Sequence, residues 1–276
     1  MATNDVEFIQ TAVRERYGEA ARSAESSCCG PSVPPSGTFG SSLYADSDRD
    51  LLPAEALVAS LGCGNPTMLA QLHPGDVVLD LGSGGGIDVL LSAQRVGPDG
   101  MAYGLDMTPE MHDLAQRNQA RAGVTNAEFL FGTIENIPLP DNSVDVIISN
   151  CVVNLAADKT AVFAEANRVL RPGGRFAISD MVLSRELPEP LSGLMSLWTG
   201  CVAGALVEDD CAAKLAAAGF EDISITPTNI FGKDQLMSLS SQINPADIPS
   251  DLDVQEVIAE LDGVIRSAFI RARTAR

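Results

Sequence analysis

Residues 77–93 read VVLDLGSGGGIDVLLSA, and this stretch decides the fold. A short apolar run broken by Asp80 meets a turn rich in glycine, and apolar residues at helical spacing follow: a strand, a tight turn and a helix. The same alternation continues downstream. MAYGLDM (101–107) reads as a second strand and 109–122 as a helix. AEFLFGT (127–133) and VDVIISN (144–150) are third and fourth strands, and a helix spans about 158–170. RPGGRFAISDMV (171–182) gives a turn and a fifth strand. Strands separated by helices of this length form βαβ units, so an open, doubly wound, mostly parallel α/β sheet is expected over 76–184.

Outside that core the pattern loosens. Residues 4–24 are helical, with Val6, Ile9, Val13 and Tyr17 on one stripe, and the Ser-, Pro- and Gly-rich stretch 23–42 is a loop carrying Cys28 and Cys29. A second helix fits 53–61, with Pro53 in its first turn, and it breaks at GCGNP around Cys63. Beyond 185 we expect a helix near 190–200, another in EDDCAAKLAAAGF, a strand in DISITPTNIFG and mixed helix and strand over 253–273. The expected division is an N-terminal helix and Cys-bearing loop (1–52), a core (53–184) and a small α+β region (185–276) that packs on the sheet or covers its mouth.

Composition narrows the function. The 276-residue chain carries 37 Asp and Glu against 18 Lys and Arg, a net charge of -19, which repels nucleic acid and anionic lipid. No apolar stretch approaches about 18 residues, and the first twenty residues are polar and amphipathic, so neither a membrane span nor a secretory signal is expected. Six scattered cysteines are too few for a disulfide scaffold, and without an export signal they are expected as reduced thiols in a cytoplasmic protein. Two histidines, His73 and His112, leave little material for a His-based metal site or general base.

In the loop LDLGSGGGID (79–88), Gly82, Gly84 and Gly86 recur at spacing two, with Ser83 between the first pair. Gly85 can also serve as the third glycine of a dinucleotide fingerprint, so the glycines alone leave both a nucleotide and another adenosyl cofactor open. Asp80, just before the turn, suits a cationic ammonium, and Asp106, ending the second strand, is placed for two ribose hydroxyls. This acid-flanked spacing resembles motif I of the S-adenosylmethionine methyltransferases. Ligands of doubly wound sheets bind outside the carboxyl ends of the strands, which collects Gly82, Asp106, Ile134, Glu135, Asn150 and Cys151 on one edge.

No candidate base falls on that edge. What remains is sulfur: Cys63 in a turn, Cys151 at a strand end and Cys201 in TGCVAG. Each can be read as an apolar filler. Together they suit a soft acceptor with its own lone pair, such as trivalent arsenic, whose methylation removes no proton. The chain resembles the arsenite methyltransferases of compact bacterial type in SSCCG (26–30), SLGCGNP (60–66), VVLDLGSGGGIDVLLSA (77–93), YGLDMT (103–108), IISNCVVNL (147–155), WTGCVAGAL (198–206) and SAFIRA (267–272).

That resemblance implies a class I methyltransferase-like fold and S-adenosyl-L-methionine as cofactor. It implies Cys63, Cys151 and Cys201 as As(III) ligands, with a disulfide between Cys63 and Cys29 or Cys28 in the catalytic cycle. Asp80, Gly82, Asp106, Met107, Ile134 and Glu135 are then donor-binding positions, and Ser83, Gly84, Gly86 and Asn150 join them from the loop and strand ends. Arsenite or its thiol conjugates are the implied substrate, and thioredoxin or glutathione the reductant. Cys211, on an amphipathic helix, is expected to be packing, and the chain is expected to be a monomer. Two other functions share these features: a C-methyltransferase of a quinone or sterol, and a metalloid- or zinc-binding sensor without chemistry.

Overall fold

The computed structural model describes residues 6–26, 70–188, 191, 202–240 and 253–276. The helices expected at 53–61 and near 190–200, and the loop bearing Cys28 and Cys29, lie outside the described residues, apart from Leu191. The chain begins with α1 (Val6–Ser26), then alternates β1 (Val77–Leu81), α2 (Ile87–Val96), β2 (Met101–Asp106), α3 (Pro109–Ala122), β3 (Ala127–Phe131) and β4 (Val144–Asn150). A single 3-10 turn (Val153–Leu155) leads to α4 (Lys159–Val169) and the long β5 (Leu170–Leu183). Then come β6 (Leu206–Val207), α5 (Glu208–Ala217), β7 (Phe220–Ile230), α6 (Lys233–Ser240), α7 (Val254–Glu260) and β8 (Ile265–Thr274).

Local chemistry explains the boundaries. Pro109 sits in the first turn of α3, where its missing N–H costs nothing, and Gly123 ends that helix at φ +66. Asp158 caps α4 by accepting from the amides of Thr160 and Ala161, both at 3.0 Å.

The strands lie in the order β3-β2-β1-β4-β5-β8-β7, with β6 also paired to β5. Strands β1 to β5 are mutually parallel; β8 runs antiparallel to both β5 and β7. This is the expected class I, Rossmann-like, mostly parallel sheet. The order reverses between β1 and β4, and there a crevice opens at the strand ends. Two details differ from the sequence reading. RPGG is not a turn before β5 but a bulge within it: the β4 register jumps from Val144↔Leu170 to Val146↔Arg175, and Gly173 takes φ +75. The described part of the 185–276 segment supplies β6, β7 and β8 to the same sheet.

Helices cover both faces. One core joins Leu79, Ile147, Phe163, Phe176 and Phe220; the Phe163 and Phe176 rings meet edge to face at 6.1 Å. Burying each such side chain contributes about 1.5–3 kcal/mol. α1 buries Ile9, Val13 and Ala21 and lies against α3, where Arg22 pairs with Glu110.

Candidate functional site

The turn after β1 is tied to the end of β2. The amides of Gly82 and Ser83 donate to the Leu105 carbonyl at 2.8 and 3.0 Å, and the Gly84 amide donates to Asp106 Oδ2 at 2.9 Å. Asp106 Oδ1 accepts from the Thr108 amide at 2.8 Å. Each carboxylate oxygen retains acceptor capacity for a further donor, as a ribose diol requires. Gly82 (φ +72) must be glycine twice over: its backbone is left-handed, and a Cβ there would lie 2.4 Å from Val152 Cγ1. That contact joins the glycine turn to the segment carrying Cys151.

The turn, the ends of β2 and β4 and the loop after β3 enclose a cleft of about 1010 Å³, part of it open to solvent. Asp80, Gly82, Ser83, Gly84, Asp106, Met107, Ile134, Glu135, Asn150 and Cys151 all line it. Gly86 does not. It starts α2 at φ +87, where a Cβ would lie 2.7 Å from the Phe129 ring, so the close packing of the helix against β3 requires glycine there.

The electrostatics of the cleft are one-sided. Asp80, Asp88, Asp106 and Glu135 line it, and among the described lining residues there is no Lys, Arg or His. Asp80 is 3% exposed, and burial, then the charges of Asp88 and Asp106, hold its carboxyl well above the ordinary carboxylate range. Burial also raises Asp106, against the lowering effect of the Thr108 and Gly84 amides. A pyrophosphate would add negative charge to this acidic lining, whereas a ligand carrying ammonium and sulfonium groups would offset part of it. The charge of the cleft favours S-adenosylmethionine over a dinucleotide.

Cys151 follows the last residue of β4. Its amide donates to the Ser179 carbonyl at 2.8 Å, its backbone is left-handed (φ +58), and it is 6% exposed. A non-glycine residue in that conformation at a ligand cleft is a sign of function. Cys151 is disulfide-bonded, which corrects the expectation of six reduced thiols. The expectation rested on the compartment, whereas pairing depends on which sulfurs a fold brings within bonding distance. Cys28, Cys29, Cys63 and Cys201 lie outside the described residues, and among the described residues no three His, Cys, Asp or Glu side chains form a metal cluster. Cys211 is free and buried on α5, as expected of packing, with its thiol pushed up to about 12 by burial and by Asp180.

Neither histidine lines the cleft. His112 meets the Phe129 carbonyl at 3.1 Å with Nε2 and stands edge-on to Phe131. Sequence reasoning missed Asp88, although it stands inside the quoted loop, and it missed Gln10, Val13 and Tyr17, which bring α1 over the cleft. Val13 and Tyr17 belong to the helical stripe seen in the sequence; periodicity marked the stripe as buried without saying against what.

Residues 72–240 match the family described as Methyltransferase domain. An arsenite methyltransferase of Halobacterium salinarum is 45% identical over 238 residues, covering 82% of this chain and 61% of that protein. The arsenite methyltransferase of Homo sapiens is 38% identical over 152 residues, 52% of this chain and 40% of its own length. This chain thus spans less than two thirds of the curated relatives it matches. Among solved structures, the arsenic(III) S-adenosylmethionine methyltransferase of Chlamydomonas reinhardtii is 31% identical, with a TM-score of 0.67, covering 84% of this chain and 74% of that one. No helix among the described residues is long and apolar enough to cross a membrane.

Proposed function

The chain belongs to the methyltransferase-domain family and, within it, to the arsenite methyltransferases, and from that premise we propose that it methylates trivalent arsenic held by its cysteines. One observation carries the reading: Cys151 lines a cleft whose charge suits a cationic methyl donor and whose described lining residues include no histidine or lysine to act as base. S-adenosylmethionine, when bound, supplies an electrophilic methyl group on sulfur.

Asp80 would take the donor's ammonium and Asp106 its ribose hydroxyls, while Ile134 and Glu135 flank the adenine end. Once the disulfide of Cys151 is reduced, Cys151, with Cys63 and Cys201, would hold arsenite as a pyramid of thiolates whose lone pair faces the donor methyl. In the transfer an As–C bond forms and the donor's C–S bond breaks, its electron pair staying on sulfur. Arsenic passes formally from As(III) to As(V). Two electrons from Cys63 and Cys29 or Cys28 return it to As(III) as their disulfide forms, and thioredoxin or glutathione then reduces that disulfide.

The test is to incubate the reduced chain with arsenite, S-adenosylmethionine and a thiol reductant, and to speciate the arsenic. Methylated arsenic is expected, and its absence overturns the proposal. Cys151→Ser should abolish the product; a variant that still forms methylated arsenic at the parent rate overturns the role of Cys151.

A further inference from the structure

We infer that Asp180 is a positioning residue: with Asn154 and Lys159 it fixes the turn from which Cys151 is presented to the cleft. The inference rests on the proposed role of Cys151. Asp180, on β5, is 1% exposed. Its Oδ2 accepts from the Asn154 amide at 3.2 Å and its Oδ1 from the Met181 amide at 2.8 Å. Asn154 Nδ2 donates back to the Met181 carbonyl at 2.7 Å. Lys159, itself buried, donates from Nζ to the carbonyls of Asn154 (3.2 Å) and Ala156 (2.7 Å). The segment between β4 and α4 is thus held by three buried polar side chains, and the Cys151 amide is anchored one residue away, on Ser179.

Burying an acid beside Phe163, Ile178 and Val182, with a buried amine on the next helix, is expensive, and apolar residues would pack a sheet face as well. What apolar residues cannot do is hold the amides and carbonyls of an irregular turn. This turn keeps Cys151 in a left-handed backbone, and its Leu155 and Ala156 line the cleft. The clasp therefore serves the thiol rather than the sheet.

The geometry has an electrical side. Burial raises the Asp180 carboxyl to about 7, against the amides of Met181 and Asn154 and the charge of Lys159. Lys159 from α4 and Cys211 from α5 are the titratable groups that bear on it among the described residues; the facing position of β8 is Ala268, and the 3-10 turn carries no ionisable group. Ionised, the carboxylate holds both amides by charge-assisted bonds; protonated, it holds them more weakly.

Asp180→Asn in the reduced 276-residue chain tests this. The rate at which iodoacetamide alkylates Cys151, located by peptide mass spectrometry, is followed from about pH 6 to about pH 9. S-adenosylhomocysteine affinity is measured by calorimetry, and arsenite binding by thiolate-to-arsenic absorption. The variant should change the Cys151 rate by about tenfold, the scale on which outer partners of a ligand act. It should also lose an inflection near 7 that the parent shows. S-adenosylhomocysteine affinity should change less than the Cys151 rate, because the clasp bonds the backbone at Asn154, Ala156 and Met181 rather than the donor-turn glycines. A Cys151 rate and pH profile matching the parent overturn the inference. Should the parent bind no arsenite while its Cys151 profile still depends on Asp180, the arsenic reading falls and the positioning role stands. Lys159→Met, which leaves the carboxylate in place, carries the same comparison should Asp180→Asn fail to fold.

Discussion

Gly82→Ala isolates the contact through which the donor turn and the cysteine segment are coupled. The new methyl would lie 2.4 Å from Val152 Cγ1, 2.5 Å from Cγ2 and 2.8 Å from Cβ, on a backbone at φ +72. The left-handed backbone costs about 1–2 kcal/mol with a side chain present, and the overpacking about 1–3 kcal/mol more, so roughly 2–5 kcal/mol in all. At about 2–4 °C per kcal/mol for a chain of this size, thermal unfolding followed by circular dichroism should move down by roughly 4–20 °C. The two contributions separate in a double-mutant cycle. Val152→Ala removes the atoms that clash but not the backbone cost, so in that background Gly82→Ala should lose only about 1–2 kcal/mol, the left-handed share. Calorimetric titration with S-adenosylhomocysteine should show weaker binding to Gly82→Ala and partial recovery in the double variant. The reasoning fails if Gly82→Ala unfolds with the parent, or if its cost is the same with and without the Val152 methyl groups.

Three further outcomes follow from the same geometry. Asp80→Asn removes a buried like charge, so the ligand-free chain should unfold at a higher temperature while donor affinity falls by about tenfold or more; loss of both stability and affinity would contradict the like-charge account. A raised carboxyl binds protons that a cationic donor must expel. S-adenosylmethionine affinity should therefore increase with pH through the raised range, and calorimetry in buffers of different ionisation enthalpy should register proton release; no release counts against it. Arg168 bonds Glu165 twice, Asp141 once and the carbonyls of Ile137 and Leu139, clamping the loop that follows Ile134 and Glu135. Arg168→Ala should cost about 2 kcal/mol in denaturant unfolding, and Arg168→Lys should recover little of it, because an ammonium cannot reproduce the fork.

What the sequence made legible was whatever is local. The strand–turn–helix of 77–93 could be read directly, as could α3 from Pro109 to Gly123, because each is set by residues a few positions apart. The cleft's acids were legible for a topological reason: residues ending parallel strands must share an edge, so Asp106 and Asn150 come together without any contact being known. The rest depends on pairings between distant segments. SAFIRA lies in a strand that runs antiparallel beside β5, with Ile270 opposite Ile178, and nothing in its own pattern names that partner. Asp88 sits on a helix where an acid in the first turn is ordinary; only burial beside Asp80 shows that it belongs to the ligand cleft. The left-handed backbone of Cys151 was equally hidden, since a cysteine gives no local signal for it.

These unfavourable local states share one side of the molecule. The buried acids and Cys151 gather at the switch point between β1 and β4, where the cleft gains neutralisation only when a cation enters. The opposite half of the sheet is built from long pairings: β5 and β8 are in register from Arg175↔Arg273 to Leu183↔Ile265, and β7 continues the layer. β5 belongs to both halves. Its Phe176 and Ile178 are locked into the core, while Ser179 and Asp180 reach the turn that carries Cys151. A site that must bury charge and hold a cysteine in a disfavoured conformation needs a support that does not yield, and the antiparallel addition to the parallel sheet supplies it from Arg175 to Leu183 of β5. Loss of a β8 side chain such as Ile270, which does not itself line the cleft, should accordingly speed alkylation of reduced Cys151 as well as weaken the core; an unchanged alkylation rate would count against this support.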